Sequence, residues 1–258
     1  MARDDTYFQE IELINIQRGG YNFTLPIFHY DSMVFGIAVL ADYPATKALL
    51  PSPRLEPFSL PFHRTLLMFT AFEHRECELG SFNEFLLLAP IRNPAGSGLR
   101  AWFMPWLRPL PSFYIMHAVS NNPKATTIFR EVFNFPIIDG NVNFEHSANT
   151  TSCVVSCGED LVISVKVPRK EGGSNNVLHF DLFSIKSDRV LRSEVIGSIF
   201  GANLSMGRKV KIEVGSNHFI SRDIRDLKLG RTLALWCIPH TRFIVTNPIE
   251  SLSFKRFE

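Results

Sequence analysis

Residues 128–140 read Ile128-Phe129-Arg130-Glu131-Val132-Phe133-Asn134-Phe135-Pro136-Ile137-Ile138-Asp139-Gly140. The stretch predicts the end of a short helix, an aromatic-proline stop and the entry into a strand. Pro136 lacks the amide hydrogen that a continuing helix needs, and its ring pushes Phe135 toward extended geometry. Phe135 and the two isoleucines after the proline are therefore held at a corner of fixed direction, facing either a pocket or the core.

Upstream, Val34 to Leu40 is an apolar run that predicts a strand buried on both faces. Asp42 is placed to cap a short helix with Pro44 in its first turn, and Pro51 and Pro53 end it. Arg64 to Glu73 predicts the next strand, and the segment from Leu79 to Ile91 another. Phe113 to Val119 is a further strand, with Ser120 or Asn121 as the expected cap of the helix that runs to Glu131. Beyond Gly140 the pattern is almost continuously β. Strands are expected around Phe144–His146, Ser152–Cys157, Leu161–Val167, Leu178–Ile185, Lys209–Val214 and Arg231–Ile238. Turn-forming clusters separate them, as antiparallel connections require. The Lys209–Val214 alternation marks a half-exposed strand. Residues 1–24 predict an arm or first short strand with a Gly19-Gly20 turn.

The order of these elements and two short signatures resemble the acetoacetate decarboxylase family. The first signature is Arg130-Glu131 followed by Phe135-Pro136-Ile137-Ile138, where the family has an Arg-Glu pair and then aromatic-Pro-Lys-Lys. The second is Gly80-Ser81-Phe82-Asn83-Glu84 ahead of an apolar strand, against the family's Gly-x-aromatic-x-Glu. The Asp42-led helix ending in Leu49-Leu50-Pro51-Ser52-Pro53 is similar as well. The resemblance implies one domain over residues 1–258. It implies a mainly β (α+β) fold, a curved antiparallel sheet closed into a cone or barrel around a cavity, with two or more short helices. It also implies a homo-oligomer, for which the apolar residues Trp102, Phe103, Met104, Trp106 and Leu107 would suit an interface or a cavity roof.

By the same resemblance the first family lysine forms a Schiff base with a ketone, activated by its cationic neighbour. Both positions are isoleucine here. Matching strand by strand, Phe69 falls where the family has a second pocket carboxylate, and Ser32 falls near an assisting arginine. Glu84 alone of that set is retained, as a candidate acid/base. The expected substrate-binding wall is Phe69, Phe82, Glu84, Arg130, Phe135 and Ile137. Lys124, Lys166 and Lys186 are the lysines weighed as replacements, and His29, near the place of the absent arginine, is the histidine of most interest. A Glu84 facing an apolar cavity without a cation has its pKa raised by burial.

Composition bounds the rest. A formal charge of +2 gives no reason to expect nucleic acid or an anionic membrane as partner. No stretch approaches the ~20 apolar residues that span a bilayer, and the acidic N-terminus lacks a signal-peptide core, so a cytoplasmic location is expected. Cys77, Cys153, Cys157 and Cys237 lack metal-binding spacing and read as reduced thiols, and no cofactor or metal is expected. No Gly-x-Ser-x-Gly, His-x-His or phosphate loop is found. Three functions compete. One is a pocket protein for a small carboxylate or apolar metabolite, without Schiff-base chemistry. The second is a lyase-type enzyme using Glu84, and the third a structural protein whose cavity is filled by its own side chains.

Overall fold

The apolar run at Val34–Leu40 lies inside a longer strand, β3, which spans Ile27–Asp42 and is buried along most of its length. The computed structural model describes residues 11–92, 111–169, 172–187, 189–206 and 210–250. Before β3 comes a hairpin of β1 (Ile14–Arg18) and β2 (Tyr21–Leu25), turned at Gly19-Gly20. After it come α1 (Tyr43–Leu49), β4 (Arg64–Cys77), β5 (Phe82–Pro90), β6 (Ser112–Ser120), α2 (Pro123–Glu131) and β7 (Ile137–Asp139). The second half contains β8 (Asn141–His146), β9 (Thr150–Cys157), β10 (Asp160–Pro168), β11 (Ser174–Lys186), β12 (Arg189–Met206) and β13 (Lys211–Val214). The chain continues through α3 (Phe219–Asp226), β14 (Thr232–Val245) and β15 (Ile249–Glu250).

Seven strands pair in the order β11-β12-β14-β3-β4-β5-β6. The sheet then closes on itself, because β11 also pairs in parallel with β6, through Asp181↔Ser112, Leu182↔Phe113 and Phe183↔Tyr114. The other six pairings of this ring are antiparallel, so the expected curved and closed sheet is what the chain forms. A second sheet, β13-β10-β9-β8, packs against part of the outside.

Side chains alternate across a strand, and this parity divides the core in two. On β3 and β4 the odd positions Phe35, Ile37, Val39, Leu67, Phe69 and Ala71 face outward, into a core shared with Val155, Val162 and Val165 of the small sheet and Ile220 and Ile224 of α3. The inner core holds Leu86, Leu88, Ile115, Leu182, Phe243 and Val245 of the barrel together with Ile128, Phe129, Phe133 and Phe135 from α2 and its exit. Helix α2 thus lays its apolar face over one end of the barrel.

Local chemistry explains the helix ends. Asp42 caps α1 by accepting from the Ala45 amide at 3.0 Å, as its sequence suggests. The cap of α2 is Asn122 and not Ser120 or Asn121, because Pro123 occupies the first helical position and the Asn122 carboxamide reaches the Lys124 amide at 2.9 Å. At the other end Asn134 adopts φ +54°, tolerated by asparagine, and its side chain donates to the Ile185 carbonyl. That turn seats Phe135, whose amide donates to the Phe129 carbonyl at 3.0 Å, before Pro136 leads into β7.

The elements outside the sequence expectation include β12, the short β15, and helix α3, whose Arg222–Lys228 charge cluster reads as a solvated face. Its other face buries Ile220, Ser221 and Ile224. All four cysteines are unpaired thiols. No helix among the described residues is long and apolar enough to cross a membrane. The Trp102–Leu107 stretch lies outside the described residues.

Phe69, 1% exposed between the barrel and the small sheet, has no room for loss of volume. Phe69→Ala is expected to cost ~3–5 kcal/mol of stability, read by urea denaturation.

Candidate active site

The interior of the barrel contains a cavity of about 330 Å³, at the low end of the roughly 300–1,000 Å³ typical of ligand pockets. Its wall is mostly apolar, built by Met68, Phe72, Leu86, Phe113, Phe135 and Phe243 among others. Polar side chains in the wall are few: His29, Thr70, Glu84, His179 and Thr241. Trp236 also faces it, over Gly36, where an added Cβ would stand 2.4 Å from the indole.

Strand geometry brings the polar group together. In the β4–β5 hairpin Phe72 pairs with Glu84 and His74 with Phe82, so all four occupy one face. On β3 the residues His29 and Ser32 differ by an odd number and would normally face opposite sides. Register shifts at Asp31 insert extra backbone between them, and both turn inward. Ser32 then pairs with His74, and His29 with Phe243 on β14.

The result is a buried chain of contacts. Glu84 Oε2 lies 3.4 Å from His74 Nε2. His74 Nδ1 lies 2.8 Å from Ser32 Oγ and 3.0 Å from His29 Nδ1. Aromatic rings enclose it: His29 stacks on Phe243 with centroids 4.2 Å apart, and His74 sits between Phe72 and Phe82 at 5.3 and 4.3 Å. His29, His74 and Glu84 are 1%, 2% and 8% exposed.

That dryness sets protonation. Burial raises the Glu84 pKa to about 8 and lowers that of His74 to about 3. Burial, and then the proximity of His74, pushes His29 well below the usual histidine value. Each group is driven to its neutral form, and 3.4 Å is long for a charge-assisted contact. The Glu84–His74 pair is therefore a carboxylic acid beside a neutral imidazole, not an ion pair. With Glu84 protonated, its O–H is assigned as the donor to His74 Nε2. On that assignment the Nδ1–H of His74 is shared between Ser32 Oγ and His29 Nδ1, and the His29 proton is on Nε2. That nitrogen has no hydrogen-bond partner among the described residues, and neither has Thr70 Oγ1.

An acetoacetate decarboxylase from Legionella pneumophila superposes with a TM-score of 0.67 at 12% identity, over 88% of this chain and 89% of that one. The fold is that of acetoacetate decarboxylase. An acetoacetate decarboxylase-like enzyme from Sphingomonas wittichii RW1 gives 0.54 at 11% identity, over 88% of this chain and 94% of that one. The enduracididine biosynthesis enzyme MppR complexed with pyruvate gives 0.54 at 12%, over 87% and 89%. The sequence itself matches no protein-family model and no curated protein. At such identity the likeness carries the architecture, not the activity.

On this acetoacetate decarboxylase-like barrel the residues singled out from sequence separate. Glu84 and Phe135 are in the cavity wall. Phe82 stands behind the wall, against His74. Ile137, 2% exposed, packs in the same inner core without being part of the wall. Phe69 faces away from the cavity, since it lies one residue out of phase with Met68 and Thr70. Arg130 is exposed in the last turn of α2, whose buried face runs through Ala125, Thr126, Ile128 and Phe129; there it complements the helix dipole. Among the described residues no lysine or arginine is part of the wall, and Lys166 and Lys186 are exposed.

His74 went unread in the sequence. It lies one residue beyond the expected Arg64–Glu73 strand. Period two from Thr70 and Phe72 was the available signal. Among the described residues no cluster of histidine, cysteine and carboxylate could hold a metal ion.

The raised Glu84 pKa has a stability consequence. Between about pH 4.5 and about pH 8 the unfolded chain releases a proton that folded Glu84 retains, so this group's contribution falls as pH rises through that window. Glu84→Gln keeps a neutral side chain throughout. Its stability relative to the parent protein is expected to grow across that window, with a slope of up to ~1.4 kcal/mol per pH unit, and to level off above it. Paired urea titrations from pH 4 to 9 measure this, and a flat difference would place Glu84 in water.

Proposed function

We propose that this protein binds a small molecule inside an acetoacetate decarboxylase-like barrel and does so without a Schiff base. One observation carries the reading: a cavity of about 330 Å³ whose described wall contains a buried carboxyl group and no lysine. Schiff-base chemistry on a ketone needs an amine at the reacting centre. The resemblance places that amine at 137, where a hydrocarbon stands. The open volume also speaks against a purely structural protein whose interior is filled by its own side chains.

Glu84 favours a second reading, catalysis by proton transfer. A carboxylic acid with a pKa of about 8, backed by His74, is poised near neutral pH to exchange a proton with a carbon beside a carbonyl. Such a step needs stabilisation of the developing negative oxygen, and the His29 Nε2–H and the Thr70 hydroxyl are unpartnered donors in the described wall. In this reading Glu84 is the catalytic residue and His74 positions it.

Sodium borohydride reduction in the presence of acetoacetate, pyruvate and other 2- and 3-keto acids, followed by intact mass, tests the first reading. No adduct is expected, and a ligand-dependent mass increase would overturn it, with peptide mapping naming the lysine. Proton exchange is tested by incubating 2-butanone with the protein in D2O and following its α-hydrogens by NMR. Catalysis predicts exchange above the buffer rate that falls at least ~100-fold in Glu84→Gln, whereas a pure binding pocket gives the buffer rate in both.

A further inference from the structure

We infer that the cavity selects an uncharged, mostly apolar molecule bearing a carbonyl oxygen, which accepts a hydrogen bond from His29 Nε2, and that it rejects carboxylate anions. This rests on the pocket reading above and names its ligand class.

The donor is built into the wall. His29 is part of the cavity lining and 1% exposed, yet its Nε2 meets no acceptor among the described residues. The ring has little freedom to find one by turning. Its Nδ1 is held 3.0 Å from His74 Nδ1, and its face is stacked on Phe243 at an interplanar angle of 10°. A buried N–H without a partner is costly to the protein, and a ligand oxygen placed against it recovers that cost. The interaction would be strong because the site is dry.

The sign of the ligand's charge follows from the rest of the wall. Its ionisable members are His29, Glu84 and His179. The first two lie in the buried chain that desolvation keeps neutral, and His179 is engaged by Glu194 at 3.3 Å. A carboxylate entering this space would give up its hydration without meeting an arginine or lysine from the described wall, which is strongly unfavourable. It would also approach Glu84, whose own ionisation it would oppose. A ketone, aldehyde or ester oxygen carries no such penalty, and its hydrocarbon part matches the Phe72, Leu86, Phe113 and Phe135 surfaces. The remaining unpartnered wall atom, Thr70 Oγ1, can rotate to donate or accept and does not discriminate between the classes.

The test compares 2-octanone with octanoate, similar in length and differing in charge, on the full chain at pH 7 by calorimetry, with intrinsic tryptophan fluorescence as a second readout. Toluene serves as an apolar probe without an acceptor. The expected result is 2-octanone binding at least ~10-fold tighter than octanoate. His29→Phe, which keeps the ring on Phe243 and removes the N–H, should weaken 2-octanone by ~10-fold and leave toluene unchanged. Octanoate binding as tightly as the ketone would overturn this inference while leaving the pocket reading intact. Unchanged ketone affinity in His29→Phe would overturn the role given to His29. Binding of none of the three probes would overturn the pocket reading as well. If His29→Phe does not fold, the ketone-to-carboxylate ratio of the parent protein still decides the charge preference.

Discussion

The parallel seam between β11 and β6 is the constraint on which the rest of the molecule depends. It consists of three residue pairs, Asp181↔Ser112, Leu182↔Phe113 and Phe183↔Tyr114, extended by the Asp181 amide donating to the Pro111 carbonyl at 2.8 Å. Closing the sheet removes its two free edges and turns one face of every barrel strand into an interior. The seam has its own cost: Asp181 is 1% exposed, and burial raises its pKa to about 6 with Arg192 Nε no nearer than 3.9 Å.

Once an interior exists, its polarity is tightly limited. Charges placed there pay desolvation that only a close counter-charge repays, and the described wall supplies none. The buried set therefore settles into neutral forms, Glu84 protonated and His74 and His29 unprotonated. Their hydrogen bonds are directional, so assigning the Glu84 O–H to His74 Nε2 fixes in turn which nitrogen of each imidazole carries hydrogen. An electrostatic condition at one residue becomes a donor at another, with Phe72, Phe82 and Phe243 keeping water away from the path between them.

The described wall of the acetoacetate decarboxylase-like barrel thus holds a carboxyl group and imidazoles but no lysine. Ile137 packs in the inner core and Ile138 against the outer one. No lysine or arginine of the described wall supplies the counter-charge that a buried carboxylate would use. Glu84 is consequently pushed toward its acid form, and the cavity toward neutral ligands.

Much of this architecture was legible in the chain. Gly19-Gly20, Asp42 with Pro44, and Phe135-Pro136 act through their own backbone preferences, so turns, a cap and the corner after α2 follow from neighbours in sequence. Alternation located β13, and the Glu84 signature located one wall residue. What alternation cannot supply is which side of a strand is inside. On β3 both faces are apolar, and Phe69 is as buried as any cavity residue while facing the other core. Strand β12 hid for a related reason: Gly197 and Gly201 interrupt its pattern, and Gly197 is required because an added Cβ would meet the Arg242 carbonyl at 2.0 Å, a contact made only once β14 lies alongside.

The sequence by itself determined the mainly β composition, the Asp42 cap of α1 and the corner at Phe135-Pro136, because each depends on a residue's own chemistry or on residues within a few positions. Only the tertiary structure decided that His29, Ser32, His74 and Glu84 form one chain. Two of them are joined by a hairpin register, and the other two reach the same face only through the bulge in β3. Their protonation depends on burial by strands far away along the chain, a many-body property that no local pattern encodes.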